Sequence, residues 1–248
     1  TYILYALFAA GILNVIYCLI ALSGNDFIPW NNVYNKILGT LGNPNFISAF
    51  LGIFISALVA YLFKPGINLP IRISGFAIAA IALYEVQASN AIQGLVVTAL
   101  GLSIVGFYLV RSYFKKDIFT IAYLCGVTIV GVMALAGALQ KGPLTQYIYK
   151  TSVSLRGEYW DAGITMAKTH PFTGVGFDTY GDWYRRARSE SAMILPGPTT
   201  VTNAAHNVPL DIGAGGGIIL FTLYLLIQVS VIIAALKLIK KSKTYDVV

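Results

Sequence analysis

Apolar residues in this chain are not spaced as on one face of a soluble helix; they run together in long, nearly charge-free stretches. Roughly six such runs occupy about residues 3–23, 45–63, 71–88, 92–110, 117–139 and 212–236. Each approaches the ~20 residues that a helix needs to cross a hydrocarbon layer of about 30 Å. The pattern predicts an all-α protein, a polytopic transmembrane helix bundle of about six spans. Its expected divisions are five spans over 1–139, a large extracytoplasmic loop over 140–206, a last span over 207–236 and a basic cytoplasmic tail over 237–248. The first run lacks a basic start and an A-x-A cleavage pattern, which makes it a span and not a signal peptide.

Within 140–206 the period changes. Tyr159, Trp160, Ile164 and Ala167, then Phe177, Tyr180, Trp183 and Tyr184, recur at helical spacing, which predicts two short amphipathic helices. Trp and Tyr opposite Arg is a composition suited to the headgroup zone, with membrane lipids as partners. Between the two lies HPFTGVG. Pro171 disfavours helix at His170, and Gly174 and Gly176 allow a tight turn. The third glycine of a dinucleotide fingerprint is missing, and a helix precedes the segment where that motif has a strand. His170 therefore reads as a loop or cap residue. Further on, Asn207 is a good N-cap and Pro209 suits a first turn, so the last helix is expected to begin just after His206.

Composition agrees with a membrane. Of 248 residues 57% are apolar, mean hydropathy is +0.72 and only 11% are charged, against about 25% in soluble domains. Cys18 and Cys125 lie inside apolar runs and read as small hydrophobes, without metal spacing. The net charge of +7 does not indicate a nucleic-acid partner, because its placement follows the loops. Lys64 and Arg72 flank one, Arg111, Lys115 and Lys116 another, and Lys237, Lys240, Lys241 and Lys243 crowd the end, whereas the stretches near 24–44 and 88–92 hold only Lys36. By the positive-inside rule both chain ends are cytoplasmic and the long segment faces outward.

That topology brings three polar stretches to the outer face: GNPNF with Asn45, EVQASNAIQG with Asn90 and Gln93, and AHN with His206 and Asn207. Outward guanidinium groups on Arg156, Arg185, Arg186 and Arg188 suit the binding of a diphosphate through paired, charge-assisted hydrogen bonds. They equally suit lipid headgroups. Arg156 is expected at the start of its helix, where a cation is disfavoured by the helix dipole, and this favours a functional role for it. An imidazole at His206 can take a proton from a hydroxyl. Asp211 stands one turn on. Glu85 is an ionisable group within a span, a functional suspect by its cost.

GNPNFISAFL, RGEYWDAGITMAKTHPFTGVGFDTY and AHNVPLDIGAGGG, in this order, resemble the O-antigen ligase and O-antigen polymerase superfamily of bacterial membrane glycosyltransferases, over about residues 40–236. The resemblance implies a multi-pass protein of the cytoplasmic (inner) membrane with its active site on the outer, periplasmic face. The donor is then a glycan on a polyprenyl diphosphate such as undecaprenyl diphosphate, and the acceptor a lipid A core, another glycan or a protein hydroxyl. It implies no cofactor and no metal, and the chain has neither D-x-D nor HExxH. Arg156 matches the arginine opening the family's R-x-x-x-W stretch, and His206 the histidine of its H-N motif; these are the expected catalytic residues. Arg185, Arg186, Arg188, Asn45, Asn90, Gln93 and Asn207 are the expected substrate contacts, with Glu85, His170 and Asp211 behind them. The expected reaction is an inverting, metal-independent transfer in surface polysaccharide or lipopolysaccharide biosynthesis, of ligase, polymerase or protein O-oligosaccharyltransferase type.

Relatives often place an arginine where this chain reads ASNAIQG and a glutamate where it reads GAGGG. Full-length relatives usually have more spans, so the chain is expected to be a fragment. The rival readings are a transporter or flippase using Glu85, and a catalytically inactive membrane scaffold.

Overall fold

The computed structural model describes residues 2–30, 32, 37–114, 116–148 and 151–241. Of the basic residues that orient the chain, Lys36, Lys115 and Lys243 lie outside the described residues, as do the side chains of Lys240 and Lys241. Every regular element described is helical: α1 (Tyr2–Leu22), α2 (Pro44–Leu62), α3 (Leu69–Ala88), α4 (Ile92–Tyr113), α5 (Asp117–Ala138), α6 (Thr145–Ile148), α7 (Thr151–Thr169), α8 (Tyr180–Ala187), α9 (Ser191–Ile194) and α10 (Val208–Lys241), with one 3₁₀ turn at Gly39–Leu41. Six of them, α1 to α5 and α10, are long and apolar enough to cross a membrane. The chain is thus a multi-pass membrane protein. Hydrocarbon, not protein, is the natural solvent for side chains such as Ile129, Leu135, Leu226 and Val231, all more than half exposed. Cys18 is buried as expected, but Cys125 is exposed on α5 and packs in no protein core.

The helices begin where short polar groups can satisfy their first N–H donors. Asn43 Oδ1 accepts from the N–H of Asn45 at 2.8 Å, with Pro44 in the first turn. Asn68 caps α3 at Ile71 N, at 3.4 Å, with Pro70 beside it. Asn207 plays the same part for α10, its Oδ1 accepting from Leu210 N at 3.3 Å.

Two compact units divide the chain, residues 1–130 and 131–247, the division falling within α5. In the first, α2 and α4 lie against each other along a seam of small residues. A Cβ on Gly94 would stand 2.6 Å from Ser48, one on Gly52 would stand 2.9 Å from Gly94 O and Thr98 Oγ1, and one on Gly101 would stand 2.1 Å from Ser56 Oγ. Ser48, Gly52 and Ser56 are four apart on α2, and they meet Gly94, Thr98 and Gly101 in rising order on α4, so the two helices run parallel. Close backbone approach through small residues is how membrane helices gain dispersion contact where lipid offers no hydrophobic driving force. Beside this seam Cys18, Ile47, Leu51, Phe54, Leu62, Ala82 and Val86 form the buried core. The Ser48 to Gly94 contact brings the first turns of α2 and α4 together, and with them Asn45, Asn90 and Gln93 at one end of this unit.

In the second unit, α7 packs on α8 and on α10. Its core is Ala162 and Met166 of α7, Tyr180 and Tyr184 of α8, Ala205, and Ala214 of α10. Three expectations need correction. The first soluble helix is not short, because α7 has 19 residues. Tyr180 and Tyr184 are buried in the unit's own core, while Trp160 and Phe177 stay exposed. The last helix is interrupted, with non-helical backbone at Gly217 (φ 70°, ψ −175°).

The seam yields a direct prediction. Gly94→Ala is expected to destabilise the first unit by about 1–3 kcal/mol through overpacking against Ser48, whereas Gly126→Ala on α5, where a Cβ meets nothing within 4 Å, is expected to be neutral. Thermal unfolding in detergent compares the two; equal midpoints would remove the seam's structural role.

Candidate functional site

The HPFTGVG turn and the GAGGG segment, puzzling as separate motifs, are two halves of one backbone join. Where α10 breaks at Gly217, freed carbonyls find partners in the turn. Val175 N–H donates to Ala214 O at 2.8 Å and Gly176 N–H to Gly215 O at 2.9 Å, while Ile218 N–H returns to Pro171 O at 2.7 Å. Only glycine fits here. A Cβ on Gly174 would lie 2.3 Å from the Gly215 backbone, and one on Gly217 2.2 Å from Phe172 O at a positive φ. The join ties the far end of α7 to α10 and holds the first half of α10 against α7, where Leu210 and Tyr180 crowd Gly163.

The AHN turn is fixed at that first half. Asp211 Oδ1 accepts the Ala205 N–H at 2.6 Å, reaching back over the helix start, and Asp211 N–H donates to Asn207 O at 2.8 Å. Buried Ala205 on one side and the capping Asn207 on the other leave His206 in the left-handed region at φ 54°. That is an uncommon conformation for a residue with a Cβ, and it persists where its surroundings over-determine it. The imidazole is exposed and stands against the Tyr159 ring, with centroids 6.0 Å apart at 50°. Tyr159 also meets Tyr184 edge-on at 5.8 Å, and its carbonyl accepts from Tyr180 Oη at 2.5 Å. Burial, above all, pushes both the Tyr180 and Tyr184 phenols up, which keeps Tyr180 a protonated donor.

Arg156 lies three residues before Tyr159, so the two share one face of α7 a single turn apart. It is half-buried and, among the described residues, has no hydrogen-bond or ion-pair partner. Arg156 is the sixth residue of α7, not its first, which weakens the dipole argument for its role. What singles it out is position: it lies one turn before Tyr159, whose ring meets His206 in the turn that Asn207 and Asp211 hold.

The remaining cations are placed differently. Arg188 Nη1 donates to Pro198 O at 3.1 Å and to Thr200 O at 3.4 Å, and its guanidinium stands 6.0 Å from the Tyr184 ring; it pins the loop after α8. Arg186 stacks over Trp183 at 5.3 Å, and Trp183 in turn meets His170 edge-on at 4.7 Å. His170 Nδ1 lies 3.0 Å from Thr169 Oγ1. His170 is therefore an end-of-helix residue, eleven residues along α7 from Tyr159 or about 16 Å, and with Arg186 it stands apart from His206. Arg185 is exposed. In the first unit Asn45 and Asn90 are exposed and Gln93 half-buried. Glu85 is wholly buried, and among the described residues neither carboxylate oxygen has a hydrogen-bond partner.

Sequence reasoning passed over Glu158. Its Oε2 accepts from Ser189 Oγ at 2.5 Å, and Ser191 Oγ donates to the carboxylate at 3.0 Å. The one signal in the sequence is the S-E-S spacing at 189–191, which sets two hydroxyls just beyond α8; their return to α7 is a contact between residues 31 and 33 apart.

A family model described as O-antigen ligase matches residues 46–225, which takes in nearly all of α2, the whole of α7 and α8, and the His206 turn. No curated protein and no solved structure matches the chain.

Asp211 acts in this geometry as a strut. Asp211→Ala is expected to cost about 1.5–3 kcal/mol, the worth of a hydrogen bond to a charged group, and Asp211→Asn, which retains an acceptor oxygen, clearly less. Urea or thermal unfolding of the purified protein measures both; an Ala variant as stable as the parent would contradict the strut.

Proposed function

The chain belongs to the O-antigen ligase family of membrane glycosyltransferases, and we propose that it transfers a glycan from a polyprenyl diphosphate, at the outer face of the cytoplasmic membrane, to an acceptor hydroxyl. The observation that carries this reading is the Tyr159 to His206 ring contact, with the imidazole against the α7 face on which Arg156 lies one turn away, without a partner among the described residues.

In the proposed reaction the acceptor oxygen attacks the anomeric carbon from the side opposite the diphosphate. The bond from that carbon to the phosphate oxygen breaks, its electron pair leaving on the diphosphate, and the configuration inverts. Arg156 holds the departing charge, since a fixed cation in a dry setting stabilises it better than water that must reorganise. His206 orients the acceptor hydroxyl and takes its proton, help worth roughly 10²- to 10⁴-fold. Asn207 and Asp211 hold the turn that presents His206. Arg185 and Arg186 contact phosphate of the carrier or of neighbouring lipid. Asn45, Asn90 and Gln93 offer polar contacts at the end of their own unit. The chemistry needs no metal. Ligase, polymerase and protein O-oligosaccharyltransferase forms share this donor step and differ in acceptor: a lipid A core, a glycan or a protein hydroxyl.

A second reading, transport of a lipid-linked or soluble substrate, rests on Glu85, a buried carboxyl inside a membrane helix with no hydrogen-bond partner among the described residues.

Membranes containing the full-length protein, supplied with lipid-linked oligosaccharide, test the first reading. Wild type is expected to form a new glycosidic bond. Arg156→Ala and His206→Ala are each expected to lose at least ~10²-fold in rate at normal protein level, with Glu85→Gln retaining transfer. Near-normal transfer in both Arg156→Ala and His206→Ala would overturn the assignment of roles.

A further inference from the structure

A cleft of about 320 Å³ opens between α7 and the segment after α8, lined by Leu155, Glu158, Ser191, Ile194 and Leu195. Its size is at the lower end of ligand pockets, about 300–1,000 Å³. Aliphatic side chains make most of its wall, and its polar part is one carboxylate with hydroxyls already on it.

That polar part is built, not incidental. Ser189 and Ser191 Oγ lie 2.8 Å apart and both donate toward Glu158. Ser189 Oγ also accepts from Ala192 N–H at 3.3 Å, at the start of α9. The loop that follows the cleft's last lining residue is held by Arg188 through the carbonyls of Pro198 and Thr200. Among the described residues no cation stands within ion-pair distance of Glu158. A carboxylate whose ligands are hydroxyls, set in an aliphatic cleft, matches a polyol: hydroxyl donors for the carboxylate and C–H faces for Leu155, Ile194 and Leu195. An anionic ligand would meet an uncompensated negative charge. A hydrocarbon chain would strip water from that charge without replacing it.

Position supports the same ligand. Leu155 and Glu158 are one turn apart on α7, on the stripe next to the one that carries Arg156 and Tyr159. A sugar in the cleft therefore lies alongside the Arg156 face.

We propose that the Leu155, Glu158, Ser191, Ile194 and Leu195 cleft is a saccharide subsite that binds a neutral pyranose through paired hydroxyls on Glu158. This rests on the transfer reading above for its use, and on the cleft's own chemistry for its ligand. The sugar belongs to the donor glycan or to the acceptor; the same hydroxyl recognition serves either.

The test uses the detergent-solubilised full-length protein and three probes, the methyl glycosides of glucose, N-acetylglucosamine and glucuronic acid. Saturation-transfer NMR is expected to show ring-proton contact for the two neutral probes and at least a several-fold weaker signal for the glucuronide. Leu155→Trp, which fills the cleft without touching the Glu158 hydrogen bonds, is expected to abolish the neutral signals. Glu158→Gln is expected to lower them, and Ser189→Ala, which loosens the anchor but lines no wall, to leave them within about twofold. In the transfer assay Leu155→Trp is expected to raise KM at least about tenfold, equivalent to about 1.4 kcal/mol, for one of the two substrates. A rise for the lipid-linked glycan puts the donor's sugar in the cleft, and a rise for the acceptor puts the acceptor's there. Unchanged probe binding and unchanged KM in Leu155→Trp would overturn the subsite. So would equal losses in Ser189→Ala and Glu158→Gln, which would make Glu158 an anchor only. Neutral probes that bind in a Leu155-dependent way to a wild type that forms no glycosidic bond would uphold the subsite and overturn the transfer reading.

Discussion

The frame of the second unit rests on the need to satisfy backbone groups where α10 breaks. A helix interrupted at Gly217 frees carbonyls and an N–H that cannot be left unpaired without a cost of the order of a lost hydrogen bond each. The HPFTGVG turn supplies the partners, main chain to main chain, and does so only because Gly174 and Gly217 present no Cβ. This exchange anchors the end of α7 to α10 at one point. The packing of Leu210, Ala205 and Tyr180 on Ala162 and Gly163 makes a second. Two anchors along α7 fix the course of that helix, and Tyr159, one turn beyond the second, meets the His206 turn. The strained φ of His206 is maintained by that frame and by the reach of Asp211 to Ala205.

The first unit depends on a different economy of contact. Small residues let α2 and α4 touch along their backbones, and dispersion along this seam holds the core in which Glu85 is sealed. A carboxyl so enclosed, with neither oxygen bonded among the described residues, is costly, and such groups within membrane helices are functional suspects. Its position in the last turn of α3, next to the polar turn of Ser89, Asn90 and Ala91, sets it near the end of the unit that carries Asn45 and Gln93.

The membrane spans were legible because lipid imposes a crude requirement, about 20 residues without charge, that composition alone satisfies. The α10 start was legible because Asn207 and Pro209 act locally. Other features were hidden by their dependence on a distant partner. GAGGG sits inside an apolar run and reads as continuous helix; that it breaks depends on Pro171 and Val175, some forty residues earlier. The seam of Ser48, Gly52 and Ser56 looks like ordinary small residues until α4 is placed on it. Arg188 looked equivalent to Arg185 and Arg186, and the Pro198 and Thr200 carbonyls distinguish it. Tyr180 and Tyr184 suited a lipid headgroup zone by composition, yet burial against α7 claims them. Glu158 gave no signal of its own, because its partners Ser189 and Ser191 lie 31 and 33 residues further along the chain.

The central claim is that Arg156 and His206 flank one reaction centre with Tyr159 between them, and the most direct measurement is photocapture from that position. Tyr159→p-benzoylphenylalanine in the full-length protein, irradiated in membranes with radiolabelled lipid-linked oligosaccharide, is predicted to become labelled, and the labelling to fall when Arg156→Ala is combined with it. The same substitution at exposed Asp161, on the side of α7 away from both Arg156 and Tyr159, is predicted to label far less. Labelling at Asp161 equal to that at Tyr159, or labelling at Tyr159 indifferent to Arg156, would contradict the account.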